Sequence, residues 1–534
     1  MKRRKFIKLS SGAAASVLIS SGYSIKNLVT SIDIENLIIG SGYGGAVTAL
    51  RLTKAGRPCT IVEMGLNWST TGAQYKPFSD MGSPKENSSW LKKKAIAPML
   101  NSTTFSNPFT GVLDRIDYKD VKVYAGCGVG GGSLVNGGMA VMPKPEYFEE
   151  IFSNLKVTDF YNKYFPRAKA QLGVNEINPA FYASTDFYKF SRVGEYEAKK
   201  AGFTTVKIPN VYDFAYMEKE GRNEAPRSAF DKELIYGNNY GKKSLDKTYL
   251  SDALQTGLLT ILDLHRVDKI KYNTNETFSV FISVIDVNGN TTESKIISCK
   301  KLFLCAGSIA TTNLLVAANG KGDLPHLDSS IGHGWGNNGN IMTGRNFVNT
   351  IFNHVKPDDT INPGRGTGGN QSTIPIVGID NWKDNSHPFF AEISPFPMGM
   401  EVYTSLYLLI NRVPSKGYFY WNKESSAVEL KWDKSNWEYA YNNAKHFIRK
   451  MIKTNGGTRS HLLFNNGFGP DICYHPLGGC VLGQSTDNYG RIKGYKNLYA
   501  IDGSLVPGTI GVNPFLTITA LAEYCIEDVI LKDY

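Results

Sequence analysis

The sequence predicts a mixed fold, α/β plus α+β, on three observations. Near the N-terminus a strand, a glycine turn, a helix, a second strand and an acid follow one another within about 30 residues. Near the C-terminus a strand, a polar turn and a helix recur. Between them, residues 401–410 and 416–432 read as aromatic-rich antiparallel strands, and residues 434–453 as a helix.

The chain has 534 residues, enough for roughly two to four domains. Apolar residues make up 42% and charged residues 20%, which excludes disorder as the main state. No apolar run is long enough to predict a membrane-spanning helix. The net charge is +11, but Lys2, Arg3, Arg4, Lys5, Lys8 and Lys26 crowd the first 30 residues without an acid among them. The remainder is only mildly basic, so nucleic acid is not an expected partner, whereas weak attraction to an anionic membrane surface is allowed. Lys2 to Lys8 forms a twin-arginine pattern, followed by the weakly apolar stretch Ala13 to Ile19. Residues 1–30 therefore read as a twin-arginine export signal, and a periplasmic or secreted location is expected. The seven cysteines show no C-x-x-C and no zinc spacing, so neither a metal site nor a disulfide framework is predicted.

Each element carries its own reason. Ile34 to Ile39 is a short apolar strand, and Gly40-Ser41-Gly42-Tyr43-Gly44-Gly45 follows it. Gly40 permits the tight turn, Gly42 lets backbone N–H groups approach a pyrophosphate, and Gly45 lets the next helix pack close to the strand. The helix N-terminus supplies partial positive charge. Strand Cys59 to Val62 ends in Glu63, placed to accept hydrogen bonds from a ribose diol. This is a Rossmann-like dinucleotide-binding unit, and by itself it does not separate FAD from NAD.

Tyr124 to Met139 holds seven glycines in 16 residues, together with Val129, Leu134, Val135 and Met139. That composition suits a backbone wrapped against a flat, extended ligand better than it suits a linker. Leu302 to Leu304 and the following turn read as a late strand returning to the same sheet. At the C-terminus, His475 precedes Pro476-Leu477-Gly478-Gly479, and a strand over 497–501 leads to Gly503. Asn513 is expected as the N-cap and Pro514 as the first residue of a helix with the apolar face Phe515, Ile518, Ala522, Cys525 and Val529. Such a helix end would favour negative charge on a reduced flavin by ~0.3–2 kcal/mol.

With these segments in hand, the chain resembles the glucose–methanol–choline oxidoreductase superfamily and, within it, the bacterial cholesterol oxidases that hold FAD noncovalently. The resemblance runs from about Ile34 to the C-terminus. Its most specific stretches are Gly128 to Pro143, Gly332 to Thr343, Phe390 to Glu401 and Cys473 to Ala522. It departs at Cys127, where such proteins often carry a basic residue, and over Arg345 to Gly369, which is longer than expected.

The resemblance implies an FAD-binding domain over 31–67, 243–333 and 490–534. A substrate-binding domain over 68–242 and 334–489, built on a large, mostly antiparallel sheet, is interleaved with it. It implies Gly132, Asn136, Gly137, Gly503 and Phe515 as flavin contacts, Met139 and Phe390 as walls near the flavin, and Val267 near the adenine. His475 would orient the alcohol and help remove or hold its proton. Glu392, an acid inside the apolar strand Phe389 to Ile393, would move a proton from C4 to C6 of a steroid, and Asn513 would lie beside the flavin. The nearby Glu401 is expected to be structural.

The implied reaction is oxidation of a 3β-hydroxysteroid to the 4-ene-3-one, with O2 reduced to hydrogen peroxide, by a monomer that touches a membrane transiently. Residues 88–100, which mix Lys92, Lys93 and Lys94 with apolar side chains, are the candidate membrane-facing lid. Two alternatives stand beside this: a related flavin enzyme acting on a non-steroid alcohol, and a non-catalytic flavin-fold binding protein. The last predicts loss of Glu392, His475 or Asn513, and all three are present.

Overall fold

The structure, a computed structural model, describes residues 28–68, 83–96, 102–227, 229–231, 240–346, 372, 374–395, 404–414, 416–460 and 471–534. Most of the expected export signal, the Arg345 to Gly369 insertion beyond residue 346, and Glu401 lie outside the described residues.

Two large sheets organise the chain. The first runs Leu259–Leu262, Cys59–Val62, Leu28–Ile39 and Thr291–Leu304 as parallel neighbours. It then turns antiparallel through Phe278–Ile285 to His265–Tyr272. Leu498–Ala500 adds in parallel beside Leu302 to Leu304. The run Leu37-Ile38-Ile39 is apolar at every position because a parallel strand here is covered on both faces. The first strand begins at Leu28, three residues inside the segment assigned to the export signal. Its long partner Thr291–Leu304 offers backbone groups as far back as Ser294, and these keep the chain paired.

Helix Phe515–Asp533 is buried almost all round rather than along the single face its spacing suggested. Leu516, Ala520, Leu521 and Ile526 are buried too, because the helix packs against both Tyr43–Lys54 and Phe165–Gln171. Glu523 within it is fully buried. Its carboxylate accepts two bonds of 2.6 Å from Arg51 and one of 2.8 Å from the Tyr249 hydroxyl. A buried charge of this kind is tolerated only when paired and hydrogen-bonded.

The second sheet is antiparallel throughout, in the order Thr458–Arg459, Ile341–Asn346, Thr404–Asn411, Phe389–Ser394, Val377–Asp380 and Thr204–Lys207. Its side chains alternate between two faces. Phe389, Ala391, Ile393, Tyr407 and Leu409 pack with Ala440, Ala444, Phe447 and Ile448 of helix Lys434–Asn455. Met342, Leu406, Leu408, Glu392 and Ser394 face the other way, into a cavity. Residues 418–431 form a separate hairpin, Tyr418–Asn422 with Ala427–Lys431, instead of joining this sheet. Phe390 is a correction: it packs across the Cα of Gly378 and is not among the cavity's lining residues.

Over its described part, the candidate lid is extended rather than a free amphipathic element. Trp90 bridges Phe109 and Thr110, and Trp90, Ala95 and Ile96 are buried while Lys92 to Lys94 face solvent. Residues 97–100 lie outside the described residues. Among the described residues no helix is long and apolar enough to cross a membrane. All seven cysteines are buried and free.

Candidate active site

The C-terminal ends of the parallel strands open on a cavity of about 530 Å³, a size usual for small-molecule and cofactor sites. Of the predicted cofactor residues, Gly40, Gly42, Tyr43, Gly44, Glu63, Gly132, Asn136, Gly137, Met139, Val267, Gly503 and Phe515 all line it. Gly45 does not line it. A Cβ there would stand 2.0 Å from the Gly40 carbonyl oxygen, so Gly45 serves the close helix packing expected of it.

Two kinds of glycine are separable. A Cβ on Gly44 would meet the Ile501 carbonyl oxygen at 1.6 Å, whereas Gly42 and Gly132 have open space where a Cβ would go. Gly44→Ala should therefore destabilise the fold by about 3 kcal/mol. Gly42, with φ −67°, should accept alanine in the fold but lose bound nucleotide. Melting temperature measured beside ligand content separates the two outcomes.

Glu63 is buried, which raises its carboxyl above the ordinary range. It accepts the Ser41 N–H at 3.0 Å, the Ser41 hydroxyl at 2.7 Å and the Gly65 N–H at 3.0 Å. Asn136 donates to the Tyr43 hydroxyl at 2.6 Å, and the Tyr43 ring stacks on Phe515 with centroids 5.2 Å apart.

Glu392, His475 and Asn513, far apart in sequence, line this same cavity. Glu392 sits opposite Gly378 and Leu408 in the antiparallel sheet. Burial pushes its carboxyl up to about 7, opposed by one hydrogen bond from Asn513. That bond, Nδ2 to Oε1, is 2.5 Å. It corrects the expected N-cap role. The helix begins at Phe515 with Pro514 at the cap position and no side-chain cap, and the Asn513 amide NH2 donates to the carboxylate instead.

His475 follows the two-residue strand Ile472–Cys473, which pairs in parallel with Lys122 and Val123. Leu477, just beyond, exchanges both backbone bonds with Gly336. The ring is half-buried on the cavity wall, and loss of water lowers its pKa to about 4, so it is neutral near pH 7. The Tyr474 N–H donates to Asn340 Oδ1 at 3.2 Å, which turns the Asn340 amide NH2 onto His475 Nδ1 at 3.0 Å. An accepting Nδ1 leaves the proton on Nε2. The imidazole is thus held as a hydrogen-bond donor through Nε2, and a carboxyl raised to about 7 lines the same cavity.

The sequence reading singled out Gly332 to Thr343 for its resemblance but gave its asparagines no role, and they hold these groups. Asn337, Asn338 and Asn340 are all buried. Asn337 donates to the Ile472 carbonyl at 3.1 Å, and Asn338 donates to the Val512 carbonyl at 2.8 Å while accepting from the Ile510 N–H at 2.9 Å. One turn therefore sets both the His475 and the Asn513 segments. The available signal was the cluster Gly336-Asn-Asn-Gly-Asn340.

The cavity fits a flavin dinucleotide in chemistry. It has an acid beyond the second strand, space left at Gly42 and Gly132, and buried Oδ1 atoms of Asn136 and Asn513 that meet no partner among the described residues. Those two oxygens could accept ring or ribityl donors, and an unmet buried acceptor is otherwise costly.

Models of the GMC oxidoreductase family match residues 34–349 and 468–522, and the model of its C-terminal part matches 338–465. A cholesterol oxidase of Acinetobacter baumannii is 23% identical over 93% of this chain and 94% of its own length. One of Mycobacterium tuberculosis is 25% identical over 92% and 90%. A long-chain-alcohol oxidase of Arabidopsis thaliana is 23% identical over 94% of this chain and 68% of its own. Among solved structures, a pyridoxine 4-oxidase from Mesorbium loti covers 93% of this chain and 99% of its own at a TM-score of 0.63, with 13% identity, a likeness of fold alone. Family models spanning the sheets, the glycine cradle and the His475 and Asn513 segments mean that this chain belongs to the GMC oxidoreductases, a family of oxidoreductases that is FAD-dependent in general.

Proposed function

We propose that this oxidoreductase binds FAD and oxidises a 3β-hydroxysteroid to the ketone, then isomerises the product to the 4-ene-3-one. The observation that carries the reading is a buried carboxyl raised to about 7, set in an apolar roof of Met342, Leu406 and Leu408 and sharing a cavity with a neutral imidazole donor. The cholesterol oxidases at 23–25% identity support a sterol, and O2 as the co-substrate.

FAD held against Gly42, Glu63, Gly132 and Asn136 would supply the acceptor for the hydride of the alcohol carbon and the means of reducing O2. His475 Nε2–H holds the substrate oxygen by donating to it, which fixes the carbinol hydrogen and stabilises negative charge on that oxygen. The Glu392 carboxylate accepts the hydroxyl proton, which ends on hydrogen peroxide. Once free again, the carboxylate removes the C4 proton and returns it at C6, so the isomerisation consumes nothing. Asn513 keeps that carboxylate aimed. The apolar roof keeps water from the site. Residues 1–30 we assign to export by the twin-arginine route.

The long-chain-alcohol oxidase is the second reading, because the same roof suits an alkyl chain. The experiment that separates them is anaerobic addition of cholesterol or of a long-chain primary alcohol to the yellow protein. Cholesterol should bleach the flavin and yield the conjugated enone, with peroxide appearing when air returns. Bleaching by the primary alcohol alone would replace the sterol reading, and no bleaching by either would end both.

A further inference from the structure

We propose that Asp384, His387 and His446 form a binding site for one divalent transition-metal ion of the zinc class, on the side of the antiparallel sheet away from the cavity. None of the three lines that cavity. Asp384 and His387 stand in the turn between strands Val377–Asp380 and Phe389–Ser394, and His446 stands mid-way along helix Lys434–Asn455. Their ligand atoms lie within 4.8 Å of one another. Two imidazoles and a carboxylate are a donor set that zinc and its neighbours prefer, with the remaining positions left to water.

The turn already orients its ligands. Asp384 Oδ1 accepts the Ser386 and His387 N–H groups at 3.0 and 3.1 Å, and Asn381 donates to the His387 carbonyl at 2.8 Å. Asp384 Oδ2 meets only a long contact of 3.5 Å from Asn381, so lone pairs remain on it. All three side chains are half-buried, which limits the ordering needed while leaving an ion a path in.

The two rings stack, with centroids 3.8 Å apart and planes 10° from parallel. Sharing one ion at about 2.0–2.1 Å from each nitrogen requires them to fan apart by side-chain rotation. Arg449 and Lys450 stand on the next turn of the same helix, and their charge opposes binding of a cation. The ion would tie helix to sheet beside Phe447, which packs edge-on to Phe389 with centroids 5.4 Å apart, on the strand that bears Glu392. The spacing rules applied to the sequence could not see this site, since His446 lies far along the chain from the Asp384–His387 pair.

The test is calorimetric titration of Zn2+ into the untagged, chelator-treated full chain, with the melting temperature followed in parallel. One saturable site and a rising melting temperature are expected. The affinity should weaken at least about tenfold in His446→Gln and in His387→Gln, with a smaller rise in melting temperature. His333→Gln, which removes an imidazole elsewhere on the surface, should bind as the parent does. If His446→Gln does not fold, Asp384→Asn takes its place. Absence of saturable binding overturns the proposal, as does binding that persists undiminished in the ligand variants.

Discussion

Replacing His475 by alanine should slow anaerobic flavin reduction by about 10²- to 10⁴-fold while leaving the amount of bound flavin unchanged. The substitution removes the Nε2–H donor and leaves the substrate oxygen unheld. The wild-type ring is lowered to about 4 and accepts from Asn340 through Nδ1, so it stays neutral across the working range. The pH–rate profile should therefore lack a histidine step near 6.5 and keep a step near 7 that belongs to Glu392. Rapid-mixing spectroscopy from pH 5 to pH 9, about two units either side of that step, checks both statements. An unchanged reduction rate in His475→Ala would remove the donor role.

Glu392→Gln should abolish accumulation of the conjugated enone, a loss of about 10²- to 10⁴-fold followed by ultraviolet absorbance, and it should flatten the step near pH 7. It should also change stability in a pH-dependent way. The folded carboxyl, raised to about 7 by burial, holds its proton more tightly than the unfolded one at 4.5. Between those values the native state binds more protons, so wild-type stability falls as pH rises towards 7 and then levels. Glutamine has no such decline. The variant should gain on wild type by an amount on the order of 3 kcal/mol at most between pH 4.5 and pH 8. Equal melting-temperature differences at the two pH values would mean that the carboxyl is not shifted, and normal enone formation would end its catalytic assignment.

These predictions rest on residues the sequence exposed unevenly. The glycine turn at Gly40 to Gly45, the acid Glu63 and the late strand ending at Leu304 were readable because local backbone chemistry dictates them: a tight turn, a helix packed on a strand, a carboxylate after a strand. Glu392 was readable as an acid among phenylalanines. What stayed hidden depends on which side of a strand faces which layer. Phe390 and Glu392 share a face of their strand, yet only the acid reaches the cavity, because the phenylalanine folds over Gly378. Asn513 looked like a cap because a following proline is compatible with one, and its actual partner lies 121 residues away. The hydrogen bond from Asn340 that fixes the imidazole tautomer spans 135 residues, beyond the reach of any local pattern. Trp90, Ala95 and Ile96 read as one side of an amphipathic stretch, but loop packing turned them inward.

The pairing of Leu28–Ile39 with Thr291–Leu304, and of that strand with Leu498–Ala500, has a consequence during synthesis. A nascent chain emerging from the ribosome displays its first apolar strand long before either partner exists. The part of the cavity wall at Asp502 and Gly503 arrives with the last few dozen residues. Long-range pairings of this kind make for slow maturation and leave sticky edges open in the meantime. A chain cut short before residue 498 should consequently accumulate as aggregate rather than as a smaller working enzyme, and chaperone supply should govern the yield of the whole one.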